Sequence, residues 1–168
     1  MPVVHMAASG AVSLVFALMA VREHSSLLAE GASKSKLGGS TARYIGLVWA
    51  WGGLGILVTY ALILEQRWPE WKQYFLGFIV AGAGCLLFAK MLDRDAETGK
   101  DDPAVMKLGR TLIMVQLVGM LAGLISLLWD GKFPRAAGYP DWAASNIFFF
   151  GGCAIAAISL NALLSSRK

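Results

Sequence analysis

Few side chains in this sequence could perform chemistry, and the two histidines come first because membrane anchors of redox enzymes often bind haem through histidine pairs. The chain contains only His5 and His24, nineteen residues apart. That spacing is about 28 Å along a helix, so one iron cannot bind both, and haem held by two histidines of this chain is excluded. His24 also adjoins Glu23 and Ser25, but sequence neighbours on a helix do not face one another as a catalytic triad requires.

The acidic segment that begins at Asp93 has carboxylates where an EF-hand calcium loop has them at its first positions. Asp93, Asp95 and Glu97 occupy positions one, three and five. The glycine of position six is one place late, at Gly99, and position twelve is Ala104, where a bidentate glutamate belongs. We therefore interpret the segment as a solvated loop, and the sequence identifies no metal site.

Polar side chains inside long apolar segments are the remaining signal, because such groups are costly in a membrane and often functional. None of those near the middle of a segment is a carboxylate, so a proton relay across the membrane lacks its usual group. Hydrogen bonds between helices are the simpler interpretation, and the lining of a polar pathway is the alternative. The candidates are Ser13, Arg110, Gln116, Asn146 and Asn161.

The elements that must position these groups are long apolar helices. Crossing about 30 Å of hydrocarbon takes about 20 mostly apolar residues, and no segment alternates apolar with polar residues as a strand does. The composition agrees, since 57% of the residues are hydrophobic and 15% are charged. The sequence therefore predicts one all-α transmembrane domain over residues 1–168, a bundle of five helices that span about 3–21, 44–64, 74–92, 108–129 and 143–164.

The basic residues predict the orientation of these helices, because cytoplasmic loops are enriched in Lys and Arg. With five spans, eleven of the fifteen basic residues fall on one side and four on the other. We expect the N-terminus outside, the C-terminus in the cytoplasm and a bacterial inner membrane as the location.

Residues 1–6 contain no Lys or Arg, so we expect the first apolar segment to be a retained span rather than a signal peptide. Tryptophans that prefer the membrane boundary predict an outer interfacial belt of Trp68, Trp71, Trp129 and Trp142.

Residue types between and within the spans predict helix ends and contacts. Ser40 or Thr41 is suited to cap the second helix, Asp102 with Pro103 to begin the fourth, and residues 22–43 to form a mobile connector. Small residues at four-residue spacing, such as Gly119 and Gly123, allow close approach of helices in lipid, either within the chain or with a partner.

These observations indicate no catalytic motif, and they leave three main hypotheses for function, with an integral-membrane enzyme that acts on lipid as the last alternative. The first is a non-enzymatic accessory, scaffold or assembly subunit of a larger membrane complex, which contacts lipids and either other membrane chains or further copies of itself. The second is a small oligomeric transporter or channel, and the third is a membrane anchor of a redox enzyme with a quinone or lipid site. No cofactor is identifiable. No basic stretch interleaves with aromatics, so nucleic acid is not an expected partner.

Overall fold

The computed structural model describes residues 2–59, 72–99, 101–130 and 141–165, and side chains within 10–54, 78–99, 101–119, 121–122, 125 and 150–165. Five α-helices and no strand occur in these residues, which confirms the all-helical prediction. The helices are α1 (Pro2–Ala29), α2 (Lys34–Thr59), α3 (Lys72–Glu97), α4 (Pro103–Asp130) and α5 (Asp141–Ser165).

The predicted connector between the first two helices is wrong. α1 continues to Ala29, and α2 begins at Lys34, ten residues before the predicted start of the second span. Ser33 caps α2 by accepting a bond at 3.3 Å from the amide of Lys36. Ser40 and Thr41, predicted as caps, lie buried inside α2. Hydropathy detects only the apolar part of a helix. It therefore misses the more polar turns by which α1 and α2 extend beyond their predicted spans.

The start of α4 agrees with the prediction from its sequence. Asp102 accepts a hydrogen bond at 2.8 Å from the amide of Ala104 through its side chain. Its carbonyl accepts another from the amide of Met106 at 3.0 Å. Pro103 occupies the first helical position, where no amide hydrogen is needed.

The buried core joins α1, α2 and α5. α2 packs against each of the other four helices, so it is the central element of the bundle. The core side chains of α1 are alanines, whereas α2 and α5 contribute larger side chains as well, so that the helices interdigitate closely. The core residues are Ala17, Ala20, Tyr44, Ile45, Val48, Ala154, Ile155 and Ile158.

Glycines bring α2 and α3 into backbone contact. A Cβ on Gly82 would lie 2.9 Å from the amide nitrogen of Ala50 and 3.0 Å from the carbonyl oxygen of Gly46. A Cβ on Gly46 would in turn lie 3.0 Å from the carbonyl oxygen of Gly82. The two helices therefore approach as closely as small residues permit.

α4 is packed differently from the other helices. None of its described side chains is buried, and large apolar side chains are exposed along its length, among them Leu108, Val115, Val118 and Ile125. Among the described residues, Gly10–Ala29 is the stretch long and apolar enough to span a membrane.

Candidate functional site

An ion-pair cluster ties together α1, α2 and α3 at the end of the bundle where α1 and α3 finish and α2 begins, here called the charged end. Arg43 donates to the carboxylate of Asp93 at 2.7 Å and lies 3.5 Å from that of Glu23. The hydroxyl of Tyr44 donates to the other oxygen of Glu23 at 2.7 Å. Glu23, Arg43, Tyr44 and Asp93 form this cluster.

Local sequence explains why the cluster forms there. Arg43 and Tyr44 are adjacent on α2, so their side chains diverge by about 100° and reach two different helices. Gly39 lies one turn earlier on α2, where a Cβ would collide with the carboxylate of Asp93. The missing side chain at Gly39 leaves room for that carboxylate beside α2.

The electrostatics of the cluster favour the charged form of Arg43. The hydrogen bond to Asp93 is the largest contribution, and it raises the pKa of Arg43 above its ordinary value. The Arg43 side chain is 42% exposed, so solvent screens part of the attraction. The cluster therefore acts as a clamp on three helices, at the edge of the bundle rather than in its interior.

A second polar contact connects α2 to the segment before α4. Asp101 accepts bonds from the amide and the hydroxyl of Ser35, at 3.1 Å and 2.5 Å. Ser35 is fully buried and lies in the first turn of α2, where amide groups have no partner within the helix. These two hydrogen bonds lower the pKa of Asp101 below its ordinary value of 3.8.

His24 is buried beside the clamp and faces α2. Its Nδ1 atom lies 3.5 Å from the hydroxyl of Thr41, which also donates to the carbonyl of Leu37 at 3.0 Å. Both histidines of the chain lie in the single helix α1. Within the described residues, no group of three or more His, Cys, Asp or Glu side chains could hold a metal ion.

Gln116 joins three helices through its side chain. Its amide oxygen accepts from the indole of Trp49 at 3.4 Å, and its amide nitrogen lies 3.6 Å from the sulfur of Cys85. The ring of Trp49 also packs on Phe78, with centroids 5.0 Å apart. Gln116 therefore connects α4 to both α2 and α3.

The other predicted site residues do not converge on one place. Ser13 is buried on α1, Arg110 is exposed on α4, and Asn161 is half-buried on α5. The backbone of Asn146 lies in α5, and those of Trp129 and Trp142 lie in α4 and α5, but their side chains are outside the described set. Trp68 and Trp71 lie outside the described residues.

Sequence reasoning did not find the ion-pair cluster, although a signal existed. Glu23, Arg43 and Asp93 each lie within about one turn of the end of a predicted span, at one predicted depth and with opposite charges. Matching charges by depth across different spans would have suggested the pairing. Which faces meet depends on helix rotation, and the nearly uniform apolar composition of these segments carries little information about it.

Two glycines of α4 differ in their packing: Gly109 lies against the ring of Phe88 on α3, whereas Gly119 contacts no other helix among the described residues. A Cβ added there would meet nothing within 4 Å. By contrast, Ser13 and Ala17, which share the equivalent spacing on α1, are both buried. The stripe on α1 serves internal packing, whereas the face of α4 around Gly119 remains uncovered.

Neither a comparison with protein-family models nor searches of curated proteins and of solved structures produced a match. The functional argument for this chain therefore depends on its own residues.

Proposed function

We propose that this chain is a five-span integral membrane protein that serves as a non-enzymatic accessory subunit of a larger membrane complex, with α4 as its docking helix. The observation that carries the proposal is the packing of α4, in which no described side chain is buried although the helix is apolar around its circumference. A helix of that composition is normally enclosed by protein or lipid.

The exposed surface supports the membrane location. Soluble monomers rarely expose apolar patches of more than a few hundred Å², yet large apolar side chains more than three-fifths exposed occur on three helices. They are Leu18 at 70%, Val80 at 68%, Leu87 at 66%, Val115 at 63% and Ile125 at 61%. In a bilayer these side chains face acyl chains, and the proposed orientation puts the charged end in the cytoplasm.

Lipid alone accounts less well for the surface of α4. A helix at the edge of a membrane bundle usually buries its small residues against a neighbour, because close backbone approach is the main source of association in lipid. The open position at Gly119 offers that approach to a helix of another chain. Val115 lies one turn from Gly119 on the same face, so the two define the proposed docking face.

Site-specific photo-crosslinking tests the docking face in native membranes. A crosslinking residue at Val115 should produce one defined protein adduct, whereas the same residue at Leu87, equally exposed on α3, should react with lipid. Gly119→Ile should weaken the adduct and reduce co-purification of the partner by about fivefold or more, since overpacking costs about 1–3 kcal/mol. Gly84→Ile is the matched control, because a Cβ on Gly84 also meets nothing within 4 Å.

Two results would count against the proposal. Identical lipid adducts at Val115 and Leu87 would make α4 an ordinary lipid-facing helix. An adduct of twice the mass of the chain, in a preparation free of other proteins, would favour the small oligomeric transporter or channel. Resistance to carbonate extraction tests separately whether the protein is integral to the membrane. Reporters fused at Gly99 and at Gly138 test the five-span topology, since the two should report opposite sides.

The third hypothesis, an anchor with a quinone or lipid site, predicts a bound cofactor or a redox partner in the same purification. The contacts of Gln116 with Trp49 and Cys85 favour a structural role for the polar group nearest the middle of α4. That observation supports our preference for the accessory subunit over the transporter.

A further inference from the structure

A groove of about 720 Å³ lies between the ends of α1 and α5 at the charged end. Its lining is divided between polar groups and aliphatic side chains, and it opens to the surface. The lining residues are Ser25, Leu28, Ala29, Asn161, Leu164 and Ser165. We propose that this groove binds the phosphate headgroup of an anionic phospholipid, an inference that rests on the proposed membrane location.

The depth of the groove matches a headgroup. α1 continues eight residues beyond the predicted end of its span, from position 21 to Ala29, which is about 12 Å of helix. The headgroup region adds about 5–8 Å on each side of the hydrocarbon. The first turn of this extension, where Ser25 lies, is therefore at the level of lipid phosphates.

Within the described residues, the side-chain amide of Asn161 is a donor in the polar lining that has no protein partner. The hydroxyls of Ser25 and Ser165 donate to the carbonyls of Val21 and Asn161, at 2.8 Å and 2.7 Å. The amide of Asn161 makes no hydrogen bond with the described residues, although its side chain is half-buried at the groove. Its two N–H donors are suited to phosphate oxygens.

Charge near the groove favours an anion over a neutral headgroup. Arg22 is exposed on α1, three residues before Ser25 and seven before Ala29, so it lies along the same side of the helix. Glu30, just beyond the end of α1, accepts a bond from Ser26 at 3.0 Å, and Glu23 is paired with Arg43 and Tyr44. Neither glutamate is part of the lining. An exposed arginine therefore lies on the side of α1 that carries the groove residues Ser25 and Ala29.

An apolar track continues from the groove along the bundle. Leu164 is 56% exposed in the groove, and Leu160 is 50% exposed one turn away on the same face of α5. Leu18, 70% exposed, lies one turn beyond Arg22 on α1. An acyl chain can follow these side chains, which a free phosphate ion cannot use. This continuity favours a phospholipid over a soluble anion.

Native mass spectrometry of the purified full chain, with lipids added from micelles, tests the site. Phosphatidylglycerol should bind more tightly than phosphatidylcholine. Arg22→Gln should weaken phosphatidylglycerol binding about fivefold, and Asn161→Ala should weaken it further. Ala29→Trp, which fills the groove without a change of charge, should abolish it. Lys107→Gln, which removes an exposed charge on α4, should leave binding unchanged.

Equal binding of the two lipids, or phosphatidylglycerol binding unaffected by Ala29→Trp, would overturn the inference. Competition by inorganic phosphate as effective as that of the lipid would also overturn it, because the groove would then be an anion site without a lipid. The thermal unfolding of each variant identifies any that fail to fold, and Arg22→Gln keeps the test decisive if Ala29→Trp does. The lipid-binding assay needs no partner chain, so a negative result in it leaves the crosslinking result at Val115 unaffected. Carbonate extraction checks the membrane location independently.

Discussion

Replacement of Gly82 with alanine should separate α2 and α3, the two most closely packed helices of the described structure. The new Cβ would lie 2.9 Å from the amide nitrogen of Ala50 and 3.0 Å from the carbonyl oxygen of Gly46, whereas ordinary contacts begin at 3.4 Å. Both obstacles are backbone atoms, so no side-chain rotation relieves them. α2 and α3 must therefore move apart by about half an ångström, the difference between 3.4 and 2.9 Å.

The energetic cost follows from that separation. A gap of about 0.5–1 Å forfeits between a quarter and a half of the dispersion attraction of each atom pair across it. Overpacking of this kind typically costs about 1–3 kcal/mol, and we expect Gly82→Ala to fall in that range. In the opposite direction, alanine favours a helix interior over glycine by about 1 kcal/mol. The measured loss of stability is therefore smaller than the overpacking cost by about that amount.

Gly84→Ala is the matched control, since Gly84 is exposed on the same helix and a Cβ there meets nothing within 4 Å. It receives the same helix-propensity gain without the collision. The free energy of unfolding of both variants can be measured by titration with SDS in mixed micelles, followed by circular dichroism. If Gly82→Ala is no less stable than Gly84→Ala, the close approach of α2 and α3 is refuted.

Two further predictions concern the charged end. Arg43→Gln should lower the free energy of unfolding by about 1–2 kcal/mol, a range reduced for solvent exposure. Lys36→Gln is an exposed control on the same helix. An equal loss of unfolding free energy in both variants would exclude a clamp. Asp101→Asn should remove a pH-dependent contribution: the pKa of Asp101 is lower in the folded protein, so its stabilisation is present above the ordinary value of 3.8 and disappears as the pH falls through the folded value. Unfolding at neutral and at acidic pH should show the wild type losing its advantage over Asp101→Asn in acid, and a difference independent of pH would contradict the assignment.

The helices themselves could be predicted from the sequence, because each is specified by local composition. Five apolar windows correspond to five helices, and the capping group at Asp102 was recognisable from a residue type followed by proline. These features depend on residues within a few positions of one another. They are therefore visible in a single chain without knowledge of how the helices meet.

The extended start of α2 could not be predicted in the same way. Residues 34–43 are polar enough to resemble a loop, and they are helical because tertiary contacts support them. Ser35 is held by Asp101, 66 residues away, and Thr41 faces His24 on α1. Such contacts override local preference, and no periodicity in the segment reports them.

The buried hydroxyls show a further limit of the sequence. Ser40 and Ser159 are almost completely buried, and neither hydroxyl has a hydrogen-bond partner in the described residues. From its sequence position Ser40 is expected to cap a helix, and no pattern in the sequence distinguishes Ser159. Serine is common both at helix ends and at helix contacts in membranes, so its type alone does not distinguish the two roles.

The attachment of α4 connects the structural links to the proposed docking. Asp101 fixes the segment before α4 to the start of α2, and Gln116 fixes the middle of α4 to Trp49 on α2 and Cys85 on α3. Both links leave the face that carries Val115 and Gly119 open. A helix held at two points loses less freedom when a partner binds than a mobile one would, and this preorganisation favours association. Weakening the Asp101 link should therefore reduce partner binding as well as stability, even though Asp101 lies outside the proposed docking face.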